Sequence, residues 1–309
     1  STIANLLSKK FTVEIFDKAR GPGGRSSNRR YISNLNFDHG LQYFNPKSKE
    51  FKKFILSLKK KKILIERKGS HLDFTFEKKQ KSIKYIGKKG NNDICKYLIK
   101  NIKANYNSTI TNIKFDSNHW IITLNNRKEI FFKNLILTCP FPQIKFLASK
   151  YIKKNISNLK VNMSPNITVM VAYKNYKKIP ISSIKFNDDI IAWAAQENTK
   201  NRFKSNKILW TIQCTENYSK KIINSFKNNK TKHELIVLQK FEGLLGFKVK
   251  NILFKNIHGW RYSYNKVDTK QKSIFINKIN LGICGDWFIG PRAENSWQSA
   301  INLFNKIKI

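Results

Sequence analysis

Residues 11–16, FTVEIF, alternate apolar and polar side chains as a half-buried strand does, and the alternation stops on Asp17. The next thirteen residues, KARGPGGRSSNRR, hold three glycines, a proline and four arginines. A strand that ends on a carboxylate and runs into glycine matches the second strand of a dinucleotide-binding unit. There the acid accepts hydrogen bonds from ribose hydroxyls, about 20 residues beyond the glycine turn that opens the unit. Asp17 suits that part. Gly23 and Gly24 let backbone approach a ligand closely, and Arg25 can reach a phosphate or a carbonyl. A surface turn with solvated charges is the other reading of these residues. Ahead of the strand, TIANLLS has the spacing of a helix end.

Composition decides how much weight the arginines carry. The 309 residues have a formal net charge of +41, which in isolation suggests a nucleic-acid or anionic-membrane surface. Only nine of the 60 basic residues are Arg, however, and Lys is spread over nearly every segment. That is the pattern of a lysine-biased background. Arg20, Arg25, Arg29, Arg30, Arg261 and Arg292 are then the informative cations, because guanidinium offers planar two-point recognition that ammonium lacks. With 40% hydrophobic and 13% aromatic residues the chain is enzyme-like and not disordered. No apolar run reaches the ~18–20 residues of a membrane helix. Cys95, Cys139, Cys214 and Cys284 are far apart, without metal-ligand spacing. Free thiols, a cytoplasmic setting and no metal site are expected.

Periodicity gives an α/β order: a basic helix in 46–66 ending in a turn, short strands in HLDFTF and KSIKYIG, and a capped helix at 91–102. A three-stranded meander follows, STITNIKF, HWIITLN and EIFFKNLILTCP. A helix is expected over 141–160, strands over 166–174, 189–196 and 207–215, and one or two helices over 217–245. A strand then runs over 249–263, another over 279–288, and a helix closes the chain. Residues 31–45 read as irregular.

Three further stretches carry candidate chemistry. In LGICGDWFIGPRAENSWQSA a strand enters Gly285–Asp286 and then a helix N-terminus, which favours anionic groups; an ordinary turn is the alternative for Asp286. FDHGLQYF places His39, Gln42 and Tyr43 around Gly40, a pocket wall or a buried hydrogen-bonded loop. HGWRYS offers Trp260 and Tyr262, for a pocket or for the core.

These stretches, with YIGKKG, LTCPFPQ, AWAAQENTK and ILWTIQCT, stand in the order found in the renalase-like branch of the flavin amine oxidase superfamily, which the whole chain resembles. The resemblance implies an α/β (α+β overall) flavoenzyme. A Rossmann-like FAD domain of the para-hydroxybenzoate-hydroxylase type would be assembled from 1–45, 90–142 and 268–309. A mixed-sheet substrate domain would comprise 46–89 and 143–267. Carried over by position, Asp17 is the adenosine-ribose acid, and Gly23, Gly24 and Arg25 run along the cofactor. The backbone of Ile110 meets the adenine. Gly285 and Asp286 contact pyrophosphate and ribityl, and the helix at Asn295 and Ser296 points at the flavin. His39, Gln42, Tyr43, Trp193, Trp260 and Tyr262 are substrate-pocket candidates. The chain departs from the family pattern at Ala293-Glu294-Asn295, where Val-Glu-Gly is favoured, and at Lys89-Gly90, where Pro-Gly is usual. G-x-G-x-x-G does not occur ahead of the strand. Aligned with the family, Ser1 follows its last glycine, so residues 1–309 alone are expected to hold FAD poorly.

The expected reaction is hydride transfer from a C–H next to nitrogen, in an amine or a reduced nicotinamide nucleotide isomer, to flavin N5, with dioxygen reoxidising the flavin. The expected partner is a small molecule, with no specific nucleic acid and no membrane span. The alternatives are a non-catalytic basic binding protein on the same fold, and a flavin desaturase or porphyrinogen-oxidase-like enzyme.

Overall fold

The strand ending on Asp17 forms, and it sits in a parallel ladder. The computed structural model describes residues 1–32, 35–73, 79–174, 180–246 and 251–307. After α1 (Thr2–Leu7), β1 (Glu14–Phe16) leads through the glycine–arginine segment to a small antiparallel pair, β2 (Asn28–Arg30) and β3 (Asn36–Asp38). Residues 31–45, expected to be irregular, thus contain a strand. Next comes α2 (Lys49–Lys60), whose N-cap Ser48 Oγ accepts from the Phe51 amide. Phe51, Ile55 and Leu58, one and two turns apart, form its buried stripe. A hairpin of β4 (Leu64–Leu72) and β5 (Lys79–Gly87) follows. β4 occupies the expected turn and stops short of the end of HLDFTF; residues 74–76 of that stretch lie outside the described set.

The chain continues through α3 (Asp93–Leu98), β6 (Lys103–Asn105), β7 (Ile110–Asp116), β8 (His119–Leu124), β9 (Glu129–Phe132), β10 (Leu135–Leu137) and α4 (Phe141–Ile156). The third run of the expected meander is therefore two strands. β9 stays with β7 and β8, while β10 leaves to pair in parallel with a C-terminal strand. Then come β11 (Met163–Tyr173), β12 (Ser183–Lys185), β13 (Ile191–Gln196), β14 (Ile208–Cys214), α5 (Glu216–Ile222), α6 (Lys230–Leu244), β15 (Ile252–Asn265), β16 (Ser273–Ile276), β17 (Leu281–Cys284) and α7 (Ala293–Lys306).

Two parallel ladders make the dinucleotide-type part. β1 pairs with β6 in register Phe16–Asn105, and β10 pairs with β17, which also carries antiparallel β16. Ile283, Leu281, Trp287 and Phe288 pack there with Trp120, Phe141, Ile144 and Ala148. α4 thus shares its core with the nucleotide-side strands. The larger sheet has seven strands in the order β15-β11-β14-β13-β12-β4-β5, mostly antiparallel, with β12 parallel to β4. Its second strand, β11, is buried on both faces. On one, Val169, Val171 and Tyr173 meet Trp210, Ile212, Val237 and Phe241 under α5 and α6. The other face carries Thr168, Met170 and Ala172 and lies under residues 35–44. The fold is mixed α/β, with a Rossmann-like part and a large mixed sheet.

Candidate active site

Residues 36–44 cross the sheet face that the helices leave open, and the candidate site is built around that crossing. Gly40 marks the closest approach. A Cβ there would stand 2.0 Å from the Arg25 carbonyl oxygen and 3.3 Å from the Trp260 ring. The amide of Leu41 donates to the same Arg25 oxygen at 2.8 Å, and Gln213 Nε2 donates to the Gly40 oxygen at 2.8 Å. The glycine–arginine loop, FDHGLQYF and HGWRYS, far apart in sequence, therefore meet at one point.

On the Rossmann-like side Arg25 grips Asp286 with both guanidinium nitrogens, at 2.7 and 2.5 Å, and donates to the Ser263 carbonyl at 2.7 Å. Burial works against the Arg25 charge, but Asp286 more than restores it and its pKa is raised. Asp17 Oδ1 caps the Ala19 amide at 2.9 Å, and Asp17 has no other side-chain bond among the described residues. Gly23 and Gly24 have φ of 127° and 49°, in the range that favours glycine. A Cβ on Gly24 would meet nothing within 4 Å, so its backbone faces open space. The Gly285 amide donates to Ser299 Oγ, the Asn295 side chain to the Gly290 oxygen, and the Ser296 amide to the Arg292 oxygen. Ile110 opens β7 opposite Leu124.

On the sheet side the register lines up His258, Thr168, Gln213 and Trp193 as one cross-strand row. His39 reaches over it from the crossing segment. Its ring lies 5.0 Å from His258 and 5.1 Å from Trp260, nearly parallel to the latter, and His258 meets Trp260 at 4.3 Å. Trp260 Nε1 donates to the His39 carbonyl at 3.0 Å. Burial pushes both imidazoles down to about 4, with His258 adding to the shift at His39 and Arg29 to that at His258. Both are neutral at pH 7, and His39 Nδ1 is buried without a hydrogen-bond partner among the described residues. Tyr43 donates to the Ser182 carbonyl at 3.2 Å, and its ring stands edge-on to His71 and Trp193. Burial raises its phenol pKa, and Glu197 and Asp38 add to that. Tyr262 lies half-buried on β15, two residues beyond Trp260.

Gln42 is not on a pocket wall. It is 6% exposed and belongs to a buried ionic hub that sequence reasoning missed. Lys200, 1% exposed, donates to Asp38, Gln42 and Glu197 at 2.8, 2.8 and 2.7 Å. Arg202 donates to Asp38 at 2.5 Å, to the Gly87 carbonyl and to Asn91. Asn91 holds the Leu41 and Gln42 carbonyls, and Thr211 donates to Glu197. Burial opposes ionisation of Asp38, yet Lys200 and Arg202 hold its carboxyl well below the usual range. The hub bolts both ends of the 38–42 segment to β5, β14 and the turn after β13. Its only signal in the sequence was a Glu and a Lys three residues apart, directly after a strand whose last residues are buried.

Comparison with known proteins fits this geometry. Residues 1–58 match the model of an NAD(P)-binding Rossmann-like domain family. A candidate protoporphyrinogen oxidase from Exiguobacterium sp. 255-15 is similar at TM-score 0.58 and 10% identity, over 72% of this chain and 52% of that one. The present chain thus spans about half of that protein. A putrescine oxidase redesigned at its cofactor site is similar at TM-score 0.67 and 7% identity, covering 99% and 94% of the two chains. An oxidoreductase from Methanosarcina mazei gives 0.63, 11%, 98% and 96%. At these identities the likeness concerns the fold alone: a Rossmann-like part and a large mixed sheet.

Proposed function

We propose that the chain is an FAD-dependent oxidoreductase that oxidises a C–H bond next to nitrogen in a small amine or dihydronicotinamide-type donor, with dioxygen as the electron acceptor. The observation that carries this reading is the convergence at Gly40 of the Arg25–Asp286 pair with the His39–His258–Trp260 cluster. It puts a dinucleotide-type loop against an aromatic sheet face.

The residues fit FAD. Asp17 has an oxygen free for ribose hydroxyls, and the Gly24 backbone faces open space. Arg25 and Asp286 together offer both donor and acceptor, and the Ile110 backbone, Gly285, Asn295 and Ser296 complete the proposed set. Bound FAD would supply a two-electron acceptor. The chain's own residues would orient the donor and exclude water: Trp193, Trp260 and Tyr262 as apolar walls, Tyr43 as a fixed edge, and neutral His39 as a hydrogen-bonding group through Nδ1. With pKa values lowered to about 4, His39 and His258 are weak bases, so a donor that needs no proton removed suits the pocket. The chain would divide into a cofactor part, 1–45, 90–142 and 268–309, and a substrate part, 46–89 and 143–267, with α4 packed on the cofactor side.

A desaturase or porphyrinogen-oxidase type of reaction is the second reading, supported by the Exiguobacterium likeness. The polar row His258–Thr168–Gln213 favours a small polar donor over a wide apolar one. The test is a visible spectrum of the purified protein after incubation with FAD, followed by anaerobic addition of amines and of reduced nicotinamide isomers. A flavin band bleached by one donor class supports the proposal. No bleaching by any donor even with FAD in large excess, together with salt-sensitive polyanion binding, would turn the reading to a basic binding protein.

A further inference from the structure

Beyond the crossing point, Tyr43 forms one wall of a second, narrower cleft. It is lined by Tyr43, Arg67, Lys68, Gly69, His71, Lys84, Ser182 and Thr199; its enclosed part is only about 10 Å³, room for one ligand oxygen, and the rest opens to solvent. Three features make its chemistry unusual. First, Arg67 and Lys84 stand directly opposite each other across β4 and β5. Like charges in that position repel. Neither cation has a carboxylate partner among the described residues: Arg67 is bonded to the carbonyls of Lys200 and Asn201, and Lys84 to none. Lys47 and Arg292 add to the positive field at Lys84 and, after burial, lower its pKa further. Second, His71 lies two residues beyond Gly69 on the same strand face. Its Nδ1 meets Ser183 Oγ at 2.7 Å, while its Nε2 is buried without a hydrogen-bond partner among the described residues. Third, no acidic residue among the described residues lines the cleft. Lys200 at its floor is already neutralised by Asp38 and Glu197.

We propose that this cleft is a binding subsite for a phosphate-sized oxyanion, held by Lys84 and Arg67 with an imidazole N–H from His71. Lys84, half-buried in the field of Lys47 and Arg292 with no carboxylate partner among the described residues, is held at a cost that a bound dianion would restore. The unpartnered Nε2 is the group that aims the site at oxygen and away from a diffuse counter-ion cloud. Because Tyr43 also meets Trp193 on the proposed substrate face, the oxyanion is the anionic end of the substrate whose oxidisable end lies toward Trp193. This last clause rests on the proposed function; the anion site does not.

Thermal unfolding of the full chain with inorganic phosphate, against chloride at matched ionic strength, reads the site directly. Phosphate should raise the midpoint with saturation. Lys84→Met should lose that rise and weaken phosphate binding by tenfold or more, while keeping an unchanged or higher midpoint without phosphate. Lys61→Met, on the surface, should bind as wild type does. Equal phosphate effects in all three proteins, or none in any, would overturn the site. With an active preparation, Lys84→Met should raise KM for a phosphorylated donor and leave that of a neutral amine unchanged. An equal rise for both would overturn the substrate assignment alone. A chain that binds phosphate at Lys84 but oxidises no donor even with FAD in large excess would refute the proposed function and leave the subsite standing.

Discussion

Arg25 and Asp286, 261 residues apart in the chain, are joined by two charge-assisted hydrogen bonds of 2.7 and 2.5 Å. The pair ties the loop after β1 to the turn after β17, so the two parallel ladders are held together at these ends. Arg25 also reaches the Ser263 carbonyl on β15, which brings the large sheet into the same clamp. One guanidinium therefore sets the relation between the nucleotide-type part and the sheet face.

Breaking that clamp should cost both stability and ligand affinity. Asp286→Asn keeps the shape but removes the charge, and leaves a partly buried guanidinium paired to a neutral amide. A loss of about 2 kcal/mol is expected in urea unfolding, in line with hydrogen bonds to charged groups. Arg25→Lys should lose about half of that, since ammonium cannot make the planar two-point contact. If both variants unfold like wild type, the pair is incidental.

The hub around Lys200 should be far less forgiving. Lys200→Met leaves Asp38 and Glu197 buried with one cation, Arg202, between them. Removal of one member of such a network costs about 3–5 kcal/mol, enough to unfold a marginal domain. Asp38 also predicts the response to acid. Its folded pKa is depressed, so its contribution is present above the unfolded value of about 4 and is lost as pH falls below it. Urea midpoints should drop between about pH 4 and 2 in wild type, and less in Asp38→Asn, which starts lower.

The two neutral histidines act over a higher window. His39 and His258 sit at about 4 in the folded chain, against about 6.5 unfolded. Between these values the unfolded state binds more protons, so stability falls as pH drops from 6.5 toward 4. Each histidine contributes a slope of up to about 1.4 kcal/mol per pH unit. The variant His258→Phe should flatten the urea-midpoint profile between pH 6.5 and 4.5 while leaving the loss below pH 4 in place. A profile unchanged by that substitution would mean the imidazoles are not held neutral by burial.

How far these features were legible varies by element. Val13–Asp17 and the strand-to-turn at Gly285–Asp286 were readable because alternation, glycine and a terminal carboxylate are local signals. So was the amphipathic stripe of α2. β12 and β16, only three and four residues long, carry too few positions for a period to show. The junction at Phe132–Leu135 read as one strand, because the change of sheet between β9 and β10 is decided by partners more than a hundred residues later. The hub was hidden for a different reason. In a chain this rich in lysine, Lys200 and Arg202 look like surface, and only the packing of β5, β14 and residues 36–44 removes them from water. Gln42 was read from the same stretch as part of a pocket wall or of a buried hydrogen-bonded loop, and its amide is spent on Asp38 and Lys200.

Glycine replacement separates close packing from simple flexibility. A Cβ on Gly40 would meet the Arg25 carbonyl at 2.0 Å, and that contact is backbone, which cannot swing aside. Gly40→Ala must therefore push the crossing segment off the loop, carrying His39 and Tyr43 with it. A loss of about 3 kcal/mol is expected, at the upper end for overpacking. Gly21 is four residues from Arg25, does not have positive φ, and has nothing within 4 Å of an added Cβ. Gly21→Ala should be neutral or stabilising by about 0.5 kcal/mol, through reduced freedom of the unfolded chain. Urea unfolding of the two variants side by side checks this. Equal behaviour would mean that the loop and the crossing segment are not in contact, and the convergence on which the proposed active site rests would go with it.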